Sequence, residues 1–215
     1  MFGLIRGRFG YLAVMLFAGR LALAEADTLA RAEDSQGTYR LPFADGTVVK
    51  VFDDFGTHRP RGRMDLYAIG GTQPYRVVAA ADGIVMAIQD GYNEQLSGRA
   101  AALCHNNYVW IAHSNGEWTN YSHIAFQSAT KKAALKVGQA VRAGEYIGDE
   151  DAIGCAMLKH VHFEVAVADP KAPIDPGGFL TDNAESKRER NPRFCSLQNQ
   201  IAIKAAEYKA APCSE

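Results

Sequence analysis

Short runs of apolar and β-branched residues, separated by turns rich in Gly, Pro and Asn, dominate the chain from Thr38 onward. Strands are predicted over residues 39–41, 48–52, 64–68, 77–88, 108–113, 118–123 and 160–167. The two runs on either side of Asn115-Gly116 are expected to form a hairpin, because this dipeptide favours a tight turn between strands. Residues 196–208 predict one short helix. The pattern as a whole indicates a mainly β, antiparallel fold with a short C-terminal helical tail.

The N-terminus differs from the rest of the chain. Arg6 and Arg8 precede an apolar run from Tyr11 to Gly19, and Ala22-Leu23-Ala24 supplies the small residues that a signal peptidase recognises. We therefore predict that residues 1–24 are a signal peptide, cleaved after Ala24. The alternative is a membrane anchor, but the run is shorter than the about 20 apolar residues that span a bilayer. No stable membrane anchor is expected after cleavage.

The mature chain divides by composition into three parts. Residues 25–38 are a polar lead-in, residues 39–170 are the main β domain, and residues 171–215 are a C-terminal extension. The formal net charge of −1 does not indicate a nucleic-acid partner, which usually requires a basic surface.

The four cysteines are consistent with export to an oxidising compartment. They are Cys104, Cys155, Cys195 and Cys213, and four cysteines allow three pairings, among which the sequence does not choose. We favour Cys104–Cys155 and Cys195–Cys213, the second of which closes a short C-terminal loop. A zinc site made of all four is the alternative, but the spacing contains no C-x-x-C pair.

Histidines and one aspartate are the candidate functional residues. His160-Val161-His162 lies in a predicted strand, where residues two apart point to the same side, so both imidazoles are expected to project together. Imidazole suits zinc, and a carboxylate such as Asp65 joined to two imidazoles is a known catalytic zinc set. His123, at the end of the predicted hairpin, is the remaining candidate.

Five ordered blocks over about residues 40–168 carry a family resemblance. They are Asp65, then Val78-Ala79-Ala80-Ala81-Asp82-Gly83-Ile84-Val85, then Asn107 to His113 with Asn115-Gly116 and Tyr121-Ser122-His123-Ile124, then Val137-Gly138 to Ile147-Gly148, and finally Gly154 with His160-Val161-His162-Phe163-Glu164. In this order they resemble the motifs of the LytM/lysostaphin-like zinc metallopeptidases. The resemblance implies an antiparallel β-sheet groove of the duplicated hybrid motif type.

The resemblance also implies site residues. The zinc ligands fall on Asp65 and His162, and the catalytic histidines on His123 and His160. The family usually has its first histidine ligand four residues before the aspartate, where this chain has Arg61. Some members have a longer spacing, and we therefore assign His58 as the third zinc ligand. Other departures are Asn106 in place of a glycine, and Met157 and Leu158 where Thr and Gly are frequent.

The implied function is zinc-dependent hydrolysis of peptide cross-links in bacterial peptidoglycan, with Zn2+ as the cofactor, peptidoglycan stem peptides as the partner, and the periplasm as the location. One alternative is a non-catalytic LytM-type module that binds cell wall or activates an amidase, which Arg61 favours. A second is a metal-binding carrier or sensor domain without wall contact.

The other histidines are expected to be structural or on the surface. These are His105 and His113. Cys104-His105 could suggest a thiol nucleophile, but a Cys and a His adjacent in sequence are not the usual catalytic arrangement, and export favours a disulfide.

Overall fold

The computed structural model describes residues 34–96, 104–168, 174, 178, 179 and 188–214. The predicted signal peptide and residues 25–33 of the predicted lead-in lie outside the described residues. The described strands are β1 (Asp34–Tyr39), β2 (Val48–Asp53), β3 (Met64–Ile69), β4 (Arg76–Val78), β5 (Gly83–Gln89), β6 (Tyr108–Ala112), β7 (Glu117–Ser122), β8 (Ala140–Val141), β9 (Tyr146–Asp149), β10 (Val161–Val167), β11 (Glu189–Phe194) and β12 (Glu207–Lys209).

One large sheet contains most of these strands, in the order β12-β2-β3-β10-β7-β6-β5-β8. Strand β11 pairs with both β10 and β1. Strands β4 and β9 form a separate two-stranded sheet. The pairs along this order are antiparallel. The predicted hairpin is present as β6–β7, with Gly116 in the left-handed region at a φ of 83°. The fold is therefore mainly antiparallel β, as the sequence predicts.

The central strand β10 separates the apolar core from the opposite side of the sheet. Val161, Phe163 and Val165 enter the core. Their alternation with His160, His162 and Glu164 places these polar side chains together on the other side. Strand β3 follows the same rule, because Met64 and Leu66 are core residues and Asp65 lies between them. The predicted common orientation of the two imidazoles follows from this alternation.

Both favoured disulfides, Cys104–Cys155 and Cys195–Cys213, are present. The predicted helix near residues 196–208 is wrong, because the described C-terminal residues contain turns and strand β12 instead. Tyr208 pairs with Val49 of β2, and Ala205 has a φ of 67° and donates its N–H to Val51. Sheet pairing outweighs the helix propensity of the alanines here.

The end of the predicted lead-in is also more ordered than expected. Residues 34–38 belong to β1, and the amides of Gln36 and Gly37 donate to the buried carboxylate of Glu117 at 2.8 and 2.9 Å. Among the described residues, no helix has both the length and the apolar character needed to cross a bilayer.

Candidate metal and catalytic site

Three imidazoles converge on one carboxylate oxygen where strand β3 pairs with strand β10. Oδ1 of Asp65 lies 3.1 Å from Nδ1 of His162, 3.3 Å from Nε2 of His160 and 3.5 Å from Nε2 of His58. Asp65 and His162 are cross-strand partners in the β3–β10 pair, although 97 residues separate them in sequence. Sheet register therefore sets this contact.

His58 reaches the site from the loop between β2 and β3. Its backbone N–H donates to the carbonyl of Asp54 at 3.0 Å, and its Nδ1 lies 2.7 Å from the carbonyl of Pro60. A carbonyl can only accept, so Nδ1 carries a proton, and Nε2 is the ring nitrogen that faces Asp65. The structure thus brings His58 into the cluster. Arg61 occupies the position where the first histidine ligand is usual.

His123 and His160 are held in a similar way by backbone carbonyls. Nδ1 of His123 donates to Ile153 at 2.8 Å, and Nδ1 of His160 donates to Leu158 at 2.8 Å. The two rings lie 4.6 Å apart and are 4% and 7% exposed. His123 has a φ of 66°, a left-handed conformation that histidine adopts more readily than most residues with a side chain. This turn after β7 directs its ring into the cluster.

Burial and the shared carboxylate set the charge states. Burial alone would raise the pKa of Asp65, but hydrogen bonds from His160 and His162 outweigh burial and hold that pKa well below its usual value. Burial lowers the pKa of His162 to about 4 and that of His123 well below its ordinary value. Burial opposes the charged form of His160 too, but Asp65 raises its pKa overall. At neutral pH the cluster contains an anionic carboxylate and neutral His123 and His162.

These donors suit a zinc ion. Ligand atoms about 2.0 to 2.1 Å from a tetrahedral zinc stand about 3.4 Å apart, close to the 3.1 and 3.5 Å that separate Asp65 Oδ1 from His162 and His58. One atom each of His58, Asp65 and His162 lies within 4.8 Å of the others. His123, His160 and His162 form a second group that meets the same distance. His162 is common to both groups, so geometry alone permits two ligand sets.

Arg59 and Arg63 line the groove that contains the cluster, and both have partners in the protein. The guanidinium of Arg63 lies 4.4 Å from the ring centroid of Phe179 and 4.0 Å from the fully buried carboxylate of Glu164. Arg59 donates through Nη1 to the carbonyls of Gly56 and His58, while Arg61 is exposed. Glu164 is a site neighbour to which the motifs assign no role. Its two-residue spacing from His162 is the signal that places it on the same side of β10.

The two histidines assigned outside the site have other partners. Nδ1 of His113 donates to the carbonyl of Asp82, and its Nε2 lies 2.9 Å from the hydroxyl of Thr119. His105 lies 3.6 Å from the carboxylate of Glu94, and the adjacent Cys104 is in a disulfide. A thiol nucleophile at Cys104 is therefore wrong.

An open groove of about 750 Å3 exposes the cluster to solvent. Its walls combine aromatic, basic and polar side chains, among them Phe52, Arg59, Arg63, Asn106 and Phe179. The Cys104–Cys155 disulfide also lines it, next to Met157, which is 88% exposed.

Comparison with known proteins identifies the family. Residues 61–176, more than half of the 215-residue chain, match the model of peptidase family M23. Asp65, His123, His160 and His162 lie within the matched residues, and His58 precedes them.

Individual relatives share between 16% and 34% of their aligned residues with this chain. The peptidoglycan DD-endopeptidase ShyC of Vibrio cholerae is 34% identical over 89 residues, which are 41% of this chain and 17% of the relative. The catalytic domain of the M23 protein EnpA from Enterococcus faecalis is 22% identical, covers 62% of this chain and 88% of its own, and has a TM-score of 0.40. The catalytic domain of lysostaphin from Staphylococcus simulans is 16% identical, with coverages of 67% and 87% and a TM-score of 0.37. On the extent of the family match, this chain belongs to peptidase family M23.

Proposed function

We propose that this chain is a zinc-dependent endopeptidase that hydrolyses peptide cross-links of bacterial peptidoglycan. His58, Asp65 and His162 are the proposed metal ligands, and His123 and His160 the catalytic residues. The convergence of three imidazole nitrogens on Asp65 within 3.5 Å carries the proposal. The substrate class is inferred from the name of the Vibrio cholerae relative, of which this chain spans 17%.

The protein side chains supply acid–base chemistry around the ion. Bound zinc would polarise the scissile carbonyl and lower the pKa of a bound water to about 7. His123 is neutral and holds its proton on Nδ1, so its Nε2 can accept a proton as the general base. His160 keeps its Nδ1 on the carbonyl of Leu158, so its Nε2 faces the site and, when protonated, would donate to the oxygen that becomes negative as the carbonyl is attacked.

The groove fits a peptide with acidic groups. Arg59 and Arg63 line it, and Asp65 and Asp53 are the acidic residues in its lining. Asp53 is paired with Lys204 at 2.6 Å. The basic side chains would attract the carboxylates of stem peptides. The two disulfides suit an oxidising compartment. We propose export to the periplasm through residues 1–24, with residues 39–170 as the peptidase domain.

Metal analysis paired with digestion of purified sacculi tests the proposal. We expect about one zinc per wild-type chain and release of soluble peptide fragments. His162→Ala should abolish both. His58→Ala should also lose the metal, whereas His123→Ala should keep it and lower turnover about 100- to 10,000-fold. His113→Gln is the control, since its ring hydrogen bonds lie at Asp82 and Thr119.

Two outcomes would contradict specific parts of this assignment. Metal loss in His123→Ala with retention in His58→Ala would assign the ion to the second histidine group, His123, His160 and His162. Digestion by a metal-free His162→Ala chain would refute zinc-dependent hydrolysis at this site.

A non-catalytic wall-binding or amidase-activating module is the second candidate, favoured by the exposed Arg61 at the usual ligand position. It predicts binding to sacculi without digestion and without stoichiometric zinc. Wild-type digestion would exclude it.

A further inference from the structure

One loop orients both proposed catalytic histidines. Residues Ile153–Leu158 are called here the histidine-orienting loop. The carbonyl of Ile153, at one end, accepts a hydrogen bond from Nδ1 of His123 at 2.8 Å. The carbonyl of Leu158, at the other end, accepts one from Nδ1 of His160 at 2.8 Å. The two histidines arise from different parts of the chain, at the end of β7 and just before β10. A shift of this loop would therefore move or release both rings together.

Covalent and polar contacts connect the loop to the segments beside it. Cys155 forms the disulfide with Cys104 and donates its N–H to Oδ1 of Asn106 at 2.9 Å. Gly154 donates to the carbonyl of Glu94 at 2.9 Å and accepts from Leu96 at 2.7 Å. Ile153 and Ala156 are buried, whereas Met157 is 88% exposed and adds little burial to hold the loop.

Gly154 shows how closely the loop is held. It has a φ of 85°, and a Cβ at this position would stand 1.9 Å from Oδ1 of Asn106 and 2.3 Å from the carbonyl of His105. The loop backbone therefore rests directly against residues 105–106, which are adjacent to Cys104. Cys155 follows Gly154, and Cys104 precedes His105. The disulfide therefore joins the two segments one residue away from this close contact.

We propose that the Cys104–Cys155 disulfide is a positioning element for His123 and His160. It holds the histidine-orienting loop so that both Nδ1 atoms stay hydrogen-bonded and both rings face the groove. Reduction by a dithiol would open it: the S–S bond takes two electrons and two protons to give two thiols, and the dithiol becomes a disulfide. The catalytic part of this inference rests on the proposed function, whereas the ring orientation does not.

The test compares two chains that each lack one disulfide. In Cys104→Ser/Cys155→Ser we expect the long-range 1H–15N NMR spectrum of His123 to change from a single Nδ1–H tautomer to a mixture. The matched control Cys195→Ser/Cys213→Ser should keep the wild-type imidazole spectrum. In sacculus digestion, kcat should fall about 10- to 100-fold for the first variant, as for loss of a group that orients a site residue, with KM and zinc content unchanged.

An imidazole spectrum in Cys104→Ser/Cys155→Ser identical to that of wild type would overturn the proposal. The spectrum does not depend on activity, so a chain without peptidase activity still tests the ring orientation. Should this variant fail to fold, the folded Cys195→Ser/Cys213→Ser chain, in which Cys104–Cys155 is the remaining disulfide, is reduced with a dithiol instead. The same change of the His123 signal on reduction supports the proposal, and an unchanged signal in the reduced chain refutes it.

Discussion

Glu150 offers a sharp test of how burial next to the site affects stability. It follows β9, is 4% exposed, and accepts one hydrogen bond from the amide of Ala68 at 2.9 Å. Burial raises the pKa of this carboxyl from 4.5 to about 7, although the Ala68 amide and the charges of His160 and Lys159 lower it in part. The perturbation is Glu150→Gln, which keeps an acceptor oxygen but does not titrate.

The sign of the effect follows from proton linkage. Between pH 4.5 and about 7 the folded chain retains a proton that the unfolded chain has released. The free energy of unfolding therefore falls as pH rises through this window and levels off above it. A shift of about 2.5 pKa units corresponds to about 3 kcal/mol. Glu150→Gln should match wild type near pH 4 and exceed its stability by about 3 kcal/mol at pH 8.

Urea unfolding from pH 4 to 8.5 measures this difference. EDTA in every sample prevents metal binding from adding its own pH dependence. The matched control is Glu207→Gln, since Glu207 is an exposed carboxylate that lies 3.6 Å from Lys50. Its curve should run parallel to that of wild type. If the curves of Glu150→Gln and wild type are parallel too, burial does not perturb this carboxyl and the reasoning fails.

Four further substitutions test other parts of the fold. Burial lowers the pKa of His113, so the wild-type free energy of unfolding should fall as pH decreases below about 6.5. Urea unfolding at a series of acidic pH values should show a smaller fall for His113→Gln. Glu117→Gln should cost about 3 kcal/mol in urea unfolding, because an amide cannot accept all the bonds from Tyr39 and two backbone amides; a change below about 0.5 kcal/mol would contradict this. Phe163→Ala should cost about 4 kcal/mol by the same assay, whereas Phe52→Ala, at a side chain that is 48% exposed, should cost much less.

The strands and the face of the histidine pair could be predicted because they depend on local alternation. Val161, Phe163 and Val165 of β10 alternate with polar residues and enter the core, so the side of the sheet on which His160 and His162 lie follows from the sequence. Asn115-Gly116 specifies the hairpin for an equally local reason, since Gly116 adopts a positive φ.

Other features depend on contacts that no local pattern encodes. The carbonyls of Ile153 and Leu158 orient two histidines, and a backbone carbonyl is present in every residue type. Residues 34–38 are polar, and their pairing with β11 joins segments from opposite ends of the chain. The Ala-rich tail favours a helix locally, but pairing of Tyr208 with Val49 decides its conformation.

The pairing of Asp65 with His162 limits how such a chain can change over evolution. Insertions in the loops between β3 and β10 add only a modest closure entropy and leave the two side chains opposite each other. A single-residue insertion inside either strand would turn one of them toward Phe163 and the apolar interior, and would separate the pair. Relatives should therefore vary widely in loop length while keeping both strands free of insertions and deletions.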